Sequence, residues 1–360
     1  MPKYKDLFDS FPEDREDSRK RSAAGLLKLR RELGKQIPRR TVEETLLLAT
    51  WNLREFGSGA KFGPRLDESI QYIAEIINHF DLVALQEVHD NLADLQRLLA
   101  VLGDWWEYLV TDVGAQRGAN SERVAFLYDK RKVRFDHMAG EITVNKDWQL
   151  ARTPYICSFR SGWRRFSLCS VHIYYGEAKA IDKRRLEEIE TLAKLLADRG
   201  KKRQDRDNGE PETTIVLGDF NIFDTEDATY KALTKHGFKI PVTEPTNIGA
   251  DKHFDQIAFH DPRNLLWPKN RDGEAGEIKH KGVFRFFESV FRDGDFESYA
   301  PEMQDTNPEK FKKSADKAKF YKQWRTFQMS DHNLLWVELK IDFADRYIPV
   351  AGHLVERKKK

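Results

Sequence analysis

Short apolar runs of β-favouring residues alternate along this chain with stretches whose apolar positions recur every three or four residues. The runs at 46–53 (LLLATWNL), 81–88 (DLVALQEV), 123–129 (RVAFLYD), 153–159 (TPYICSF), 166–175 (FSLCSVHIYY), 214–221 (TIVLGDFN), 253–259 (HFDQIAF) and 330–341 (SDHNLLWVELKI) are too short for helices and predict buried strands. Weaker strand patterns stand at 106–110 and 133–137. Helical spacing predicts a helix over 64–80, with Asp67 as its cap and Ile70, Ile73, Ile76, Ile77 and Phe80 on one face. It predicts others over 92–102, 227–237 and 178–199, the last burying Ile181, Leu186, Ile189, Leu192 and Leu196. Strands apolar on both faces, interspersed with helices, predict packed sheets with helices outside: a four-layer αββα sandwich of two mostly antiparallel sheets.

Two stretches stand apart from this pattern. Residues 1–44 are polar, and between Arg19 and Arg40 nine Lys/Arg face one acid, Glu32. If 23–33 is helical, Leu26, Leu27, Leu29 and Leu33 form an apolar stripe. The segment then reads as a docked helix with a solvated basic face, or as a nucleic-acid-binding arm. The stretch 262–328 is long for a connection, and its part 308–325 carries seven Lys/Arg with Phe311, Phe320, Tyr321 and Trp324 interleaved. It too reads either as a phosphate-binding, base-stacking surface or as a basic face whose aromatics are core. The main domain is expected over 45–345 with 262–328 as an insertion, followed by a basic tail at 346–360.

Composition narrows the class. With 360 residues, 40% hydrophobic, and 23 Phe, 11 Tyr and 8 Trp, the chain can bury a large core. The net charge of +2 announces no polyanion partner, so any basic patch must be local. Cys157 and Cys169 lie in strand-like runs and read as buried free thiols. No apolar run approaches the ~20 residues that span a bilayer, and the N-terminus lacks an apolar signal core, so a cytoplasmic protein without membrane insertion is expected.

Several buried runs carry at one end polar residues that a strand does not need: Asn52, Gln86 and Glu87, His172, Asp219 and Asn221, Asp255, and, at the start of the last run, Asp331 and His332. A carboxylate in an apolar run costs several kcal/mol unless it is paired or binds a cation. One such residue has ordinary explanations in a cap, a turn or a core histidine. So many together point to a shared cluster around a hard cation and a phosphate.

In the order WN, QE, VH, GDFN, FDQI, SDH the chain resembles the endonuclease/exonuclease/phosphatase family, over roughly 46–340 apart from 262–328. Within it, WNLREFG and LVALQEVHD are most similar to the deoxyribonuclease I-like nucleases, although their disulfide framework is missing. The resemblance implies Glu87, Asn52 and Asp331 around a Mg²⁺ or Mn²⁺ ion. It implies His172 as general acid, supported by Glu122, and His332, supported by Asp255, acting on the attacking water, a task Asp219 could take instead. Asn221 and Arg152 would hold phosphate oxygens. The implied activity is metal-dependent hydrolysis of nucleic acid, DNA foremost, by in-line attack of water. A phosphatase or phosphodiesterase acting on a small phosphoester or a phosphoinositide- or sphingomyelin-like head group is the alternative.

Overall fold

The computed structural model describes residues 2–4, 16–112, 122–144, 148–206, 213–261, 278–342 and 344, with backbone only over 201–206. The basic tail and parts of the N-terminal segment and of 262–328 lie outside them. Strands β1 (Thr45–Phe56), β2 (Leu82–His89), β3 (Trp106–Val110) and β4 (Glu122–Asp129) precede β5 (Arg134–Glu141), β6 (Tyr155–Ser161), β7 (Arg164–His172), β8 (Thr213–Asp219), β9 (Asp255–His260), β10 (Lys281–Phe284) and β11 (Leu334–Lys340). They form a six-stranded sheet, β10-β11-β1-β2-β4-β3, and a five-stranded sheet, β5-β6-β7-β8-β9. Each sheet holds one parallel pair, β1 with β2 and β7 with β8, and is otherwise antiparallel.

Alternation along the strands builds three apolar layers. Leu46, Leu48, Leu82, Ala84 and Phe126 meet Leu168, Ile215, Leu217, Ile257 and Phe259 between the sheets. The opposite face of the larger sheet, including Leu47, Ala49, Trp51 and Leu85, packs on α1 (Glu16–Gln36), α2 (Asp67–Ile77) and α3 (Ala93–Leu102). The outer face of the smaller sheet packs on α4 (Lys183–Arg206) and α5 (Ala228–Thr234). This is the expected αββα sandwich. No described helix is long and apolar enough to cross a membrane.

The described part of the stretch expected as an insertion, 278–328, is built into the core. β10 extends the larger sheet beside β11. Helices α6 (Phe296–Thr306), α7 (Pro308–Lys313) and α8 (Lys317–Gln328) follow. Phe320, Tyr321 and Trp324 of α8 are buried with Tyr299 and Met303 of α6, so the aromatics of 308–325 belong to the core and not to a stacking surface, with Phe311 partly buried beside them. α1 likewise docks through Leu26, Leu29 and Leu33. Leu27 is 60% exposed, because it lies off that stripe. Arg21 and Arg30 of α1 are engaged by Glu68, Glu302 and Glu75. Two further expectations shift. Ile181 precedes α4 and is 68% exposed, and Asp67 is the first residue of α2, its carboxylate taken by Arg97.

Arg40 ties the chain before β1 to the base of this sheet. Its guanidinium reaches Asp81 at 2.6 Å and Asp129 at 2.5 Å, both carboxylates fully buried. Desolvation pushes the Asp129 carboxyl up, but hydrogen bonds from Arg131 and Arg40 outweigh it and lower it from 3.8 to about 2. A depressed carboxyl stabilises the fold above its unfolded value and loses that contribution as pH falls from about 4 toward 2. Arg40→Ala is expected to cost ~3 kcal/mol at pH 7, with a smaller difference from wild type near pH 2.5. Urea unfolding at the two pH values checks this, and an equal difference at both contradicts it.

Candidate active site

The strand register assembles the site. Leu168, Ser170 and His172 of β7, Ile215, Leu217 and Asp219 of β8, and Asp255, Ile257 and Phe259 of β9 share by alternation the inter-sheet face. His172 pairs in register with Asp219, and Asp219 with Asp255, so three polar side chains stand in one row across the end of the smaller sheet. Opposite them, Asn52 pairs with Gln86 at the end of the larger sheet. A shift of register between Leu85 and Val88 marks a bulge in β2, where Glu87 has a left-handed φ of 59°. Such a bulge re-aims a side chain. Val88 returns to the helix-covered face while Glu87 is turned into the cleft.

Backbone strain gathers here. Arg54, Glu55, Glu87 and Asn221 all have φ between 42° and 59°. Residues held this way cost about 1–3 kcal/mol each and cluster at functional sites. Gly218 has φ 125°, and a Cβ there would stand 2.2 Å from the Val171 carbonyl oxygen of the paired strand. Gly218→Ala is therefore expected to cost about 1–3 kcal/mol in dihedral strain and a similar amount in overpacking, and to displace Asp219. Thermal unfolding with an activity assay checks it, and an unchanged midpoint contradicts it.

A cleft of about 600 Å³ opens over these strand ends. The Asn52 side-chain amide donates to Glu87 Oε1 at 2.8 Å and to Asp219 Oδ2 at 3.1 Å, joining the two sheets. The Glu55 backbone N–H donates to Glu87 Oε2 at 2.8 Å. His172 stands with Nδ1 2.9 Å from Glu122 Oε2 and Nε2 3.5 Å from Asp219 Oδ2. His332 stands with Nδ1 2.8 Å from Asp255 Oδ2 and Nε2 3.9 Å from Asp219 Oδ2. Asp219 thus lies between two imidazoles, each backed by its own carboxylate.

The electrostatics follow from those pairs. Burial and the Arg152 charge pull the His172 imidazole down, but Glu122 and Asp219 outweigh them and raise it. Burial lowers His332 too, yet Asp255 and Asp219 carry it well above its ordinary value. Desolvation raises Glu122, and the larger combined pull of His172 and Arg152 holds it at about 2. Burial pushes Asp219 up against the opposing pull of both histidines. The partner carboxylates thus favour the charged form of both imidazoles, while burial opposes charge on Asp219 between them.

Glu87, His172 and Asp219 each bring one ligand atom to within 4.8 Å of the others, and so do Asp219, Asp255 and His332. The Asp219 carboxylate lies within 4.8 Å of Glu87 and is tied to it through Asn52. Carboxylate oxygens suit a hard divalent ion.

A model of the endonuclease/exonuclease/phosphatase family matches residues 49–275, more than half of the chain. The chain belongs to this family. It is accordingly a hydrolase acting on phosphoester bonds, in a family dependent on divalent metals. No curated protein matches its sequence. A conserved protein of unknown function from Enterococcus faecalis V583 has a similar structure at 15% identity, covering 82% of this chain and 99% of that one, with a TM-score of 0.52. Truncated Caenorhabditis elegans TDP2 is similar at 14% identity, covering 82% and 98%, with a TM-score of 0.50. At such identities the likeness is one of fold.

The cleft is lined by Glu87, His172, Asp219, His332, Glu122, Arg152, Asn221 and Asp331, while Asn52 and Asp255 support it from buried positions. Arg152 Nε donates to Glu122 at 2.7 Å. The Asn221 backbone N–H donates to Asp219 Oδ1 at 2.9 Å, and its side-chain amide to the Ile173 carbonyl at 2.8 Å. Asp331 is shared with Arg54 Nη1 at 3.1 Å. Asn52 Oδ1 accepts the Arg54 backbone N–H at 2.9 Å, so this asparagine acts first as a brace for Glu87. Sequence reasoning missed Arg54, Tyr175 and Phe254 in the cleft wall. It also missed Glu188 of α4, whose buried carboxylate accepts the backbone N–H groups of Ala151 (2.9 Å) and Tyr174 (3.0 Å) and so fixes the loops beside Arg152 and His172. Nothing in the spacing of α4 separates Glu188 from its solvated neighbours.

Proposed function

We propose that this chain is a divalent-metal-dependent phosphodiesterase that cleaves nucleic acid, DNA foremost. The observation that carries the reading is Asp219 set between two carboxylate-backed imidazoles, 3.5 and 3.9 Å away, with Glu87 and Asn52 alongside. Glu87, with Asp219 and Asp331 in reach of the same cleft, would hold Mg²⁺ or Mn²⁺, which when bound neutralises charge growing on the phosphoryl oxygens.

The remaining chemistry belongs to the side chains. His172, charged and oriented by Glu122, protonates the leaving oxygen from Nε2. Asp219, raised by burial, accepts the proton of the attacking water. His332 is held charged by Asp255, so it positions the water and steadies a non-bridging oxygen instead of acting as base. Arg152 and the Asn221 amide flank the same oxygens. Polymer substrates are favoured over compact phosphate monoesters by the open shape of the cleft, whose lining includes Arg54, paired with Asp331, and Lys61, paired with Glu55.

A substrate panel tests this: supercoiled plasmid, single-stranded DNA, RNA, an inositol phosphate and sphingomyelin, each with Mg²⁺ or with chelator. Magnesium-dependent nicking of plasmid or strand is expected. Turnover confined to the inositol phosphate or sphingomyelin would overturn the nuclease assignment.

A further inference from the structure

The wall of the cleft beside His332 is aromatic. Tyr175, Phe223 and Phe254 come from three separate stretches of chain and form one cluster. Tyr175 and Phe223 stack with centroids 6.3 Å apart. Phe254 stands edge-on to Phe223 at 5.4 Å and to Tyr175 at 6.3 Å. Tyr175 and Phe254 face the cleft, and the Phe254 ring lies 5.5 Å from that of His332, tilted by 32°. Unlike the aromatics of α8, these are not core. Tyr175 is 40% exposed, and the other two are half-buried.

Cations frame the cluster. The Arg185 guanidinium lies 4.9 Å from the Phe223 ring centre and donates to the Tyr175 carbonyl at 3.1 Å, and Lys252 Nζ lies 5.2 Å from the same ring. An uncovered aromatic face in a cleft otherwise lined by charged and amide groups calls for a planar occupant. Arg185 is fully buried and braces the wall from behind, whereas Lys252, partly exposed and shared with Asp251, suits an occupant attached to phosphates.

We infer that Tyr175, with Phe254 and Phe223 behind it, stacks a nucleobase next to the scissile phosphate, making the substrate a nucleotidyl phosphodiester read by a π-face and not by base-edge hydrogen bonds. This rests on the phosphodiesterase reading above. Stacking on such a platform tolerates any base, because every base has a π-face.

The test uses a hexathymidylate strand, alone and annealed, in which one internal nucleoside is replaced by tetrahydrofuran. Cleavage with Mg²⁺ is compared, linkage by linkage, with the all-thymine strand. The wild-type protein is expected to cut one flanking linkage about 5- to 150-fold faster when the base is present, the usual range for one stacked base. Tyr175→Ala should bring that ratio close to one, and Tyr175→Phe should retain it. A wild-type ratio near one, or a Tyr175→Ala variant that slows both strands equally, would overturn the inference. Absence of cleavage at every linkage would instead remove the nuclease reading on which it rests.

Discussion

His332→Ala is expected to lower phosphodiester cleavage at neutral pH by ~10²–10³-fold, the range for loss of one donor that stabilises charge on the reacting phosphate. The imidazole lies between Asp255 at 2.8 Å and Asp219 at 3.9 Å, and no other cationic side chain pairs with Asp255 among the described residues. Its removal takes away the donor aimed at the phosphate and leaves the Asp255 carboxylate buried without its partner, so some stability is lost as well. His332→Asn separates the two effects. Its amide can still donate to Asp255 but carries no charge, so the variant should melt near wild type and still lose more than ~10²-fold in rate. The wild-type pair should remain effective well above pH 6.5, because the partner carboxylates hold the imidazolium charged. A raised histidine contributes stability fully below its unfolded value and loses it only as pH climbs through the folded one. A folded His332→Asn protein with near-full activity would exclude the assigned role.

The second large effect is expected at Glu87. Both of its oxygens are already oriented, by the Asn52 amide at 2.8 Å and the Glu55 N–H at 2.8 Å, on a bulge that exists to aim it. Glu87→Ala should abolish measurable Mn²⁺ binding by calorimetry and reduce Mg²⁺-dependent turnover by ~10²-fold or more. Asn52→Ala, which removes only the brace, should weaken the same binding by ~10–100-fold. Equal Mn²⁺ affinity in wild type and Glu87→Ala would place the ion elsewhere, with the second carboxylate–histidine group, Asp219, Asp255 and His332, as the alternative.

The layers of the fold were legible because burial on both faces of a strand writes itself as a short apolar run. The strand at 106–110, those ending at His172 and Asp219 and the one beginning at Asp255 stand where the pattern places them. The ends of helices were less legible. Ile181 fits a helical spacing and is nevertheless exposed, since a pattern cannot tell which apolar residue lies beyond the last packed turn, and Leu27, inside α1, is exposed because it lies off the packed stripe. The aromatics of 308–325 show the same limit. Interleaved with lysines they read equally as surface or core, and only packing against Tyr299 and Met303 decides for core.

The chemistry was legible as strand ends carrying residues with no structural need to be there, and as an order of short motifs. That Glu122 backs His172 and that Arg152 lies beside it came through resemblance alone, since neither has a distinguishing local pattern. Register made the row His172, Asp219 and Asp255 possible, but pairing partners 47 and 36 residues apart in sequence are not visible in a linear chain. The left-handed turn at Glu87, the brace of Asn52 and the clamp of Glu188 are properties of the folded backbone, and the stacking wall of Tyr175 and Phe254 is assembled only when β7 and β9 meet in one sheet.

All of this depends on Asp219 working where the two sheets converge. The most direct measurement is the rate of plasmid nicking by wild type and Asp219→Asn, each with Mg²⁺ and with chelator, alongside a melting curve for both proteins. The account predicts nicking by wild type with Mg²⁺ alone, and a folded Asp219→Asn protein slower by at least ~10²-fold. Nicking that survives the chelator, or an Asp219→Asn protein as fast as wild type, would contradict it.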